Sequence, residues 1–248
     1  MKVIRNDLNQ YSHYFEGYSQ NVPVIYSTLQ GQYQGEIFSD KAEQIIVLVT
    51  KFDFIFLGGN DKVDHAEKIL DEIIFEELVK KQGRKEIIVF GQDDTWNETL
   101  SRVFSRHHGV CDVRMCYRLN KDKFSQLNNI RKDASINVVI GNECGHDSAF
   151  FYPAARVMVN DMCVSFCSAF MVAKGFAEID VATEEAHRQK GYAKHAAIAL
   201  INELISQGIE PIWCTWPYRT ESQALAKSLG FELKMEVPAH IWVDEFGC

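Results

Sequence analysis

From Thr183 to Ala193 the chain reads Thr-Glu-Glu-Ala-His-Arg-Gln-Lys-Gly-Tyr-Ala. Arg188, Gln189 and Lys190 precede Gly191, and Tyr192 and Ala193 open a run with helical apolar spacing. A helix starting there leaves its first amides unpaired, and its dipole favours an anion. Gly191 lets the backbone approach a ligand closely, Ala193 keeps the first turn narrow, and Arg188 and Lys190 add positive charge. In physical terms this is a cradle for a pyrophosphate. It has neither the GxxxxGK pattern of a P-loop nor the GxGxxG of a Rossmann turn. Solvated surface charge is the plain alternative for the two cations.

The strand-like stretch Ala177–Ala182 before this loop places Glu178 and Asp180 on one face at i, i+2. Either carboxylate could take a proton from a bound nucleophile; either could equally face solvent. Tyr218 follows Pro217 just past a strand at Ile212–Trp216 and could donate a proton, or pack its ring and send its hydroxyl to water. His187 and His195 flank the loop and read as cap or surface groups, and Trp213 and Trp216 as core or pocket wall. The cysteine pairs Cys163/Cys167 and Cys111/Cys116 have no zinc spacing with a matching second pair, so no metal site is expected.

These groups need elements to hold them. The second half reads as strands Val157–Asn160, Cys163–Val172 and Ala177–Ala182, a helix from Gly191 to Gln207 stopped by Gly208, a strand Ile212–Trp216, and a helix Glu221–Leu229 stopped by Gly230. Phe231–Val237 and His240–Val243 read as a closing hairpin. The first half repeats that order: strands Tyr33–Phe38, Gln44–Thr50 and Phe52–Leu57, a helix Val63–Gln82, a strand Glu86–Phe90, a helix begun by Thr95 with Glu98 three residues on, and a strand Val110–Leu119 with Val113, Met115, Tyr117 and Leu119 inward. Gly83 and Gly208, Ile87 and Ile212, and Leu100 and Leu225 each lie 125 residues apart. Three identities are at chance level; the matching order of elements is the better argument for a duplicated α/β fold. The polar stretch from Leu119 to Ser135 sets the expected division, 1–120 and 121–248.

The chain carries 26 basic and 34 acidic residues, net −8, which argues against a nucleic-acid partner. Residues 135–248 hold 8 basic and 14 acidic residues, and three of the eight cations, Arg188, Lys190 and Lys194, fall within seven residues. An otherwise acidic half favours a cationic partner. No apolar run is long enough to span a membrane, and the N-terminus does not read as a signal peptide, so seven reduced cysteines in a cytoplasm are expected.

The pattern Arg/Gln-x-x-Gly-x-Gly/Ala at a strand-to-helix junction, here Arg188 to Ala193, resembles the acyl-CoA signature of the GNAT superfamily of N-acetyltransferases. The strand Ala177–Thr183 before it, the strand Ile212–Trp216 after its helix, and the closing Ser228-Leu229-Gly230-Phe231 fit the same family. The segment also resembles the subgroup with zwittermicin-resistance acetyltransferases. The resemblance implies a GNAT-type mixed sheet with flanking helices, preceded by a divergent domain. It implies acetyl-CoA as co-substrate, with Val181, Ala182 and Thr183 beside its pantetheine arm and Arg188–Ala193 on its pyrophosphate. The thioester would lie between the splayed strands, polarised by an amide near Val181. It also implies a small amine acceptor, and the sequence is compatible with a homodimer. Members of the family often carry a Tyr four residues before the Gly of Gly-Phe; here that residue is Ala226. An Asn common near the start of that helix is replaced in the stretch 219–222, where Ser222 could serve. The segment from Ile140 to Val157 is short for the two helices that usually hold the acceptor. A non-catalytic acyl-CoA-binding or regulatory module is therefore the alternative reading. If the fold is duplicated, Asp61 and Asp64 at the first junction would repel a pyrophosphate, leaving that half without a cofactor site.

Overall fold

A computed structural model describes residues 1–128, 136–144 and 150–244. Along the chain come β1 (Lys2–Ile4), a 3-10 segment (Leu8–Phe15), α1 (Val22–Leu29), β2 (Gly35–Ser39), β3 (Ile45–Thr50) and β4 (Phe54–Gly59). Then follow α2 (Ala66–Asp71), which continues as a π-helical stretch Glu72–Lys81, β5 (Glu86–Phe90), α3 (Asp94–Arg106) and β6 (Val110–Leu119). The second half holds α4 (Lys121–Asn128), β7 (Asn137–Cys144), β8 (Phe151–Val159), β9 (Met162–Ala173), β10 (Phe176–Thr183), a 3-10 turn (Glu185–His187), α5 (Tyr192–Ser206), β11 (Glu210–Thr215), α6 (Thr220–Ser228) and β12 (Phe231–Val243).

Two compact units result. Unit 1 takes Met1–Asn21, Ile25–Val113 and Val237–Cys248, and unit 2 takes Val22–Val24 and Arg114–Glu236. The chain thus passes between units inside β6 and again inside β12, whereas the sequence suggested one division at 120/121; part of the expected linker, 129–135, lies outside the described residues. Within unit 1 the strand order is β1-β2-β3-β4-β5-β12, and within unit 2 it is β6-β11-β10-β9-β8-β7. Each unit has four antiparallel strands in a row, a helix, and a strand parallel to the fourth. The pairs are Phe54↔Ile88 to Phe56↔Phe90 in unit 1 and Phe176↔Glu210 to Glu178↔Ile212 in unit 2. Every pair in unit 2 lies 122 residues beyond its counterpart, three fewer than the spacing of the sequence identities.

The cores follow from composition. Every residue of β3, Ile-Ile-Val-Leu-Val-Thr, is buried, as expected of a β-branched run covered on both faces. Helix α5 buries Ala196, Ala197, Leu200, Ile201 and Leu204 on unit 2, together with Ile179, Trp213 and Phe231. Its end is fixed by Gly208 at φ 73°: the Ile209 amide donates to the Leu204 carbonyl at 2.9 Å and the Gly208 amide to Ile205 at 3.0 Å, a Schellman closure.

Three local expectations are corrected. The hairpin expected over 231–243 is one continuous strand, β12; Pro238, which reads as a break because it lacks an amide hydrogen, stands just after the strand passes from unit 2 to unit 1. Helix α3 is capped by Asp93, whose carboxylate accepts the Trp96 amide at 3.0 Å, so the Thr95–Glu98 box is not used. In β6 Tyr117 is buried as expected, but so are Arg114 and Cys116 on the opposite face, so the strand is covered on both sides.

Candidate active site

In unit 2 β10 stays paired with β11 only as far as Glu178↔Ile212, yet β10 runs on to Thr183 and β11 to Thr215. The two strands part there, as the sequence led us to expect. On its other side β10 remains joined to β9 from Asp180↔Ser168 to Thr183↔Ser165, with a register slip between Glu178 and Asp180. A slip of this kind bends a strand and re-aims its side chains. The β10 edge beyond Glu178 therefore faces a gap.

The loop that follows leads into α5. Gln189 (φ 59°) and Gly191 (φ 78°) both adopt left-handed backbone, and such alternation turns successive amides toward one side. Among the described residues no hydrogen bond engages the amides of Gln189, Lys190, Gly191, Tyr192 or Ala193. A Cβ on Gly191 would meet no atom within 4 Å, so open space lies over the helix start. Arg188 and Lys190 are exposed; Arg188 Nε donates to the Thr183 carbonyl at 3.4 Å and Lys190 Nζ to the Ala186 carbonyl at 3.1 Å. Neither is ion-paired among the described residues, so both charges are available to an anion. The rings of His187 and Tyr192 stand 6.3 Å apart.

The other expected residues are placed as follows. Val181 is half-buried beside Asp180, and its amide stabilises the Asp180 carboxylate. Asp180 keeps an exposed side chain, yet crowding by the protein raises its carboxyl above the ordinary value against that amide. The Ala182 carbonyl accepts the Ser165 hydroxyl at 3.0 Å, and the Thr183 hydroxyl lies 2.8 Å from Ser165 Oγ. Glu178 is 3% exposed and pairs with Arg114, itself 6% exposed. Burial pushes the Glu178 carboxyl up while the Arg114 guanidinium pulls it back, and Oε2 is buried without a partner. Tyr218 is 65% exposed, with the Arg219 guanidinium 5.6 Å from its ring centre. The Ser222 hydroxyl accepts the Trp213 indole N–H at 3.0 Å, and Ala226 is fully buried in the core of unit 2.

Arg114, Cys116 and Cys214 were not anticipated from sequence. Cys214 lies directly opposite Cys116, with their sulfurs 3.5 Å apart. The thiol of Cys214 donates to Cys116, which lowers the Cys116 thiol and raises that of Cys214; burial raises Cys214 further, and Arg114 helps Cys116. The signal was present in β6, where Arg114, Cys116 and Arg118 alternate through an apolar strand.

In unit 1 β4 runs on past its last pair with β5, Phe56↔Phe90, and the space beside it is filled. The Tyr18 hydroxyl accepts the Leu57 amide at 3.1 Å and lies 2.8 Å from the Leu57 carbonyl and 2.9 Å from that of Phe90. Its β4-to-α2 loop borders a cavity of about 660 Å³. The cations Arg102 and Arg106 on that cavity are both held by Glu67, at 2.6 and 2.7 Å. Asp61 and Asp64 line the same cavity.

A family profile described as GNAT acetyltransferase matches residues 12–142 and 155–240. No curated protein matches the chain. The fold is similar to that of a GCN5-related N-acetyltransferase-like protein from Streptococcus suis, at 18% identity over 95% of this chain and 98% of that one, with a TM-score of 0.67. It is also similar to an acetyltransferase of the GNAT family from Colwellia psychrerythraea (11% identity, 98% and 100% covered, TM-score 0.62). A tandem GNAT protein from the clavulanic acid biosynthesis pathway resembles it over 100% of this chain and 99% of that one, at 8% identity and a TM-score of 0.64. Identities this low speak for the fold, which is GNAT-type in both units. With the profile spanning the parted strands, the glycine-bearing loop and most of unit 1 as well, the chain belongs to the GNAT acetyltransferase family.

Proposed function

We propose that unit 2 moves an acetyl group from acetyl-CoA to the amine of a small, cationic acceptor by direct attack. The observation that carries this reading is the set of partnerless amides from Gln189 to Ala193, flanked by Arg188 and Lys190 and placed after a strand that has left its neighbour. Such a helix start suits the pyrophosphate of CoA, and the open space over Gly191 admits it. When bound, acetyl-CoA supplies an activated thioester. Val181, Ala182 and Thr183 flank its pantetheine arm in this reading, and a backbone amide next to Val181, whose own amide serves Asp180, polarises the acyl oxygen. Ser222 accepts from Trp213 and keeps its own hydroxyl hydrogen to offer the co-substrate.

Glu178 is the proton acceptor of the proposal: its Oε2 is partnerless and burial raises its carboxyl, which makes it a stronger base. Asp180 draws the cationic amine to the gap. Tyr218 returns a proton to the leaving sulfur in place of the Tyr that Ala226 replaces. Unit 1, with its gap filled by Tyr18, binds no CoA and acts as scaffold. The likeness of residues 178–205 to the zwittermicin-resistance subgroup belongs to the same reading, as do a cytoplasmic setting, independence from nucleic acid and membrane, and a homodimer. A panel of amines with thiol release as the readout tests it. Turnover with cationic amines supports the proposal. Tight CoA binding without thiol release for any amine would instead favour the acyl-CoA-binding module.

A further inference from the structure

We propose that Cys116 and Cys214 close into a reversible cross-strand disulfide under mild oxidation, making the β6–β11 pair a redox-sensitive site beside the parted strands of unit 2. The geometry comes from the sheet. The two residues are direct partners in an antiparallel ladder, and their sulfurs lie 3.5 Å apart. Directly opposed antiparallel residues have Cα atoms about 4.5 or 5.5 Å apart, inside the range a disulfide spans. Closing the bond needs the sulfurs to approach to about 2.0 Å, a shift that two adjacent strands can share.

The chemistry is also supplied. Cys214 is half-buried and Cys116 buried beside it on one face of the sheet, so a small oxidant reaches the pair from the Cys214 side. Cys116 accepts the Cys214 S–H and sits two residues from Arg114, so it is the better nucleophile of the two. With a peroxide as oxidant, the Cys116 sulfur attacks one oxygen, the O–O bond breaks, and the second oxygen leaves as water. The Cys214 sulfur then attacks the Cys116 sulfenic acid and displaces its oxygen as a second water. Two electrons pass from the sulfurs to the peroxide, and both thiol protons end in water. Cys111, Cys144 and Cys163 are more exposed.

The bond draws β11 toward β6 at Cys214, two residues after Ile212, the last residue that β11 pairs with β10. It therefore moves one wall of the gap, and this regulatory consequence rests on the acetyl-transfer reading above. A displacement near 1 Å at a reacting centre slows a reaction by about a hundredfold.

The full-length protein, dilute and reduced, is treated with hydrogen peroxide, alkylated and mapped by peptide mass spectrometry. The expected result is a linked Cys116–Cys214 peptide, reversed by dithiothreitol and absent from C116S and C214S. Sulfinic acid at either residue without a link, or both thiols left free while exposed cysteines react, would overturn the proposal. In the activity arm, oxidised protein transfers acetyl tenfold or more slowly than reduced protein, and dithiothreitol restores it; an unchanged rate in fully linked protein overturns the regulatory part. Absence of turnover in the reduced protein would overturn the acetyl-transfer reading, while the mapped link decides the disulfide by itself.

Discussion

The Tyr18 hydroxyl takes both the amide and the carbonyl of Leu57 as partners, at 3.1 and 2.8 Å, and so sits where β4 of unit 1 runs on past its last pair with β5. With each parallel pair offset by 122 residues between units, Leu57 corresponds to Ile179 and Phe90 to Ile212. A phenol in unit 1 thus occupies the position that lies open in unit 2. Burial holds that phenol well above its ordinary pKa, so it stays a donor wherever the protein is folded. Tyr18→Phe takes away the acceptor of the Leu57 amide and the single O–H shared by the Leu57 and Phe90 carbonyls. The expected cost is about 1–3 kcal/mol, read in a denaturant titration. CoA stoichiometry should not change, because removing one oxygen opens no room for a pantetheine arm.

Glu178→Gln separates two roles of one carboxylate. The carboxylate offsets the buried Arg114 charge, and breaking such a pair costs about 3 kcal/mol of unit 2 stability. As the proposed base, its loss should slow transfer by about a hundredfold with CoA affinity unchanged. In the wild type, burial raises the Glu178 carboxyl, so activity should climb with pH through that raised value; the Gln variant should lose this rise. Full turnover in Glu178→Gln, with the rise intact, would remove Glu178 from the chemistry.

His240 is 1% exposed, both ring nitrogens lack partners, and its pKa is pushed down to about 4 by burial alone. In the unfolded chain a histidine titrates near 6.5. Between those two values the unfolded state binds the extra proton, so stability is full above about pH 6.5 and is lost as pH falls toward 4. The expected loss from this group is on the order of 3 kcal/mol, and His240→Phe should flatten that part of the stability–pH curve. An unaltered acid limb in the variant would assign the loss to other groups.

How much of this was legible in the residues depends on how local the cause is. Helix α5 and its loop were readable because the apolar spacing, the Gly208 stop and the Arg188–Ala193 pattern all act within a few residues of one another. The parting of β10 from β11 was expected from resemblance. The Arg114–Glu178 pair joins residues 64 apart and could not be read from spacing; taking the odd positions of β6 as its buried face hid it. The hairpin expected at Pro238 failed because a strand can change units without turning. Tyr18 stands 39 residues before Leu57, and no local pattern marks it as the filler of a gap.

The most direct test of the central claim is calorimetric titration of CoA into the wild type and into Gly191→Asp. Gly191 holds φ 78° at the start of α5, and aspartate there adds both strain and a negative charge over the free amides. The account predicts one CoA per wild-type chain and an affinity lowered tenfold or more, about 1.4 kcal/mol, in the folded variant. Unchanged affinity in Gly191→Asp, or two equivalent sites per chain, would contradict it.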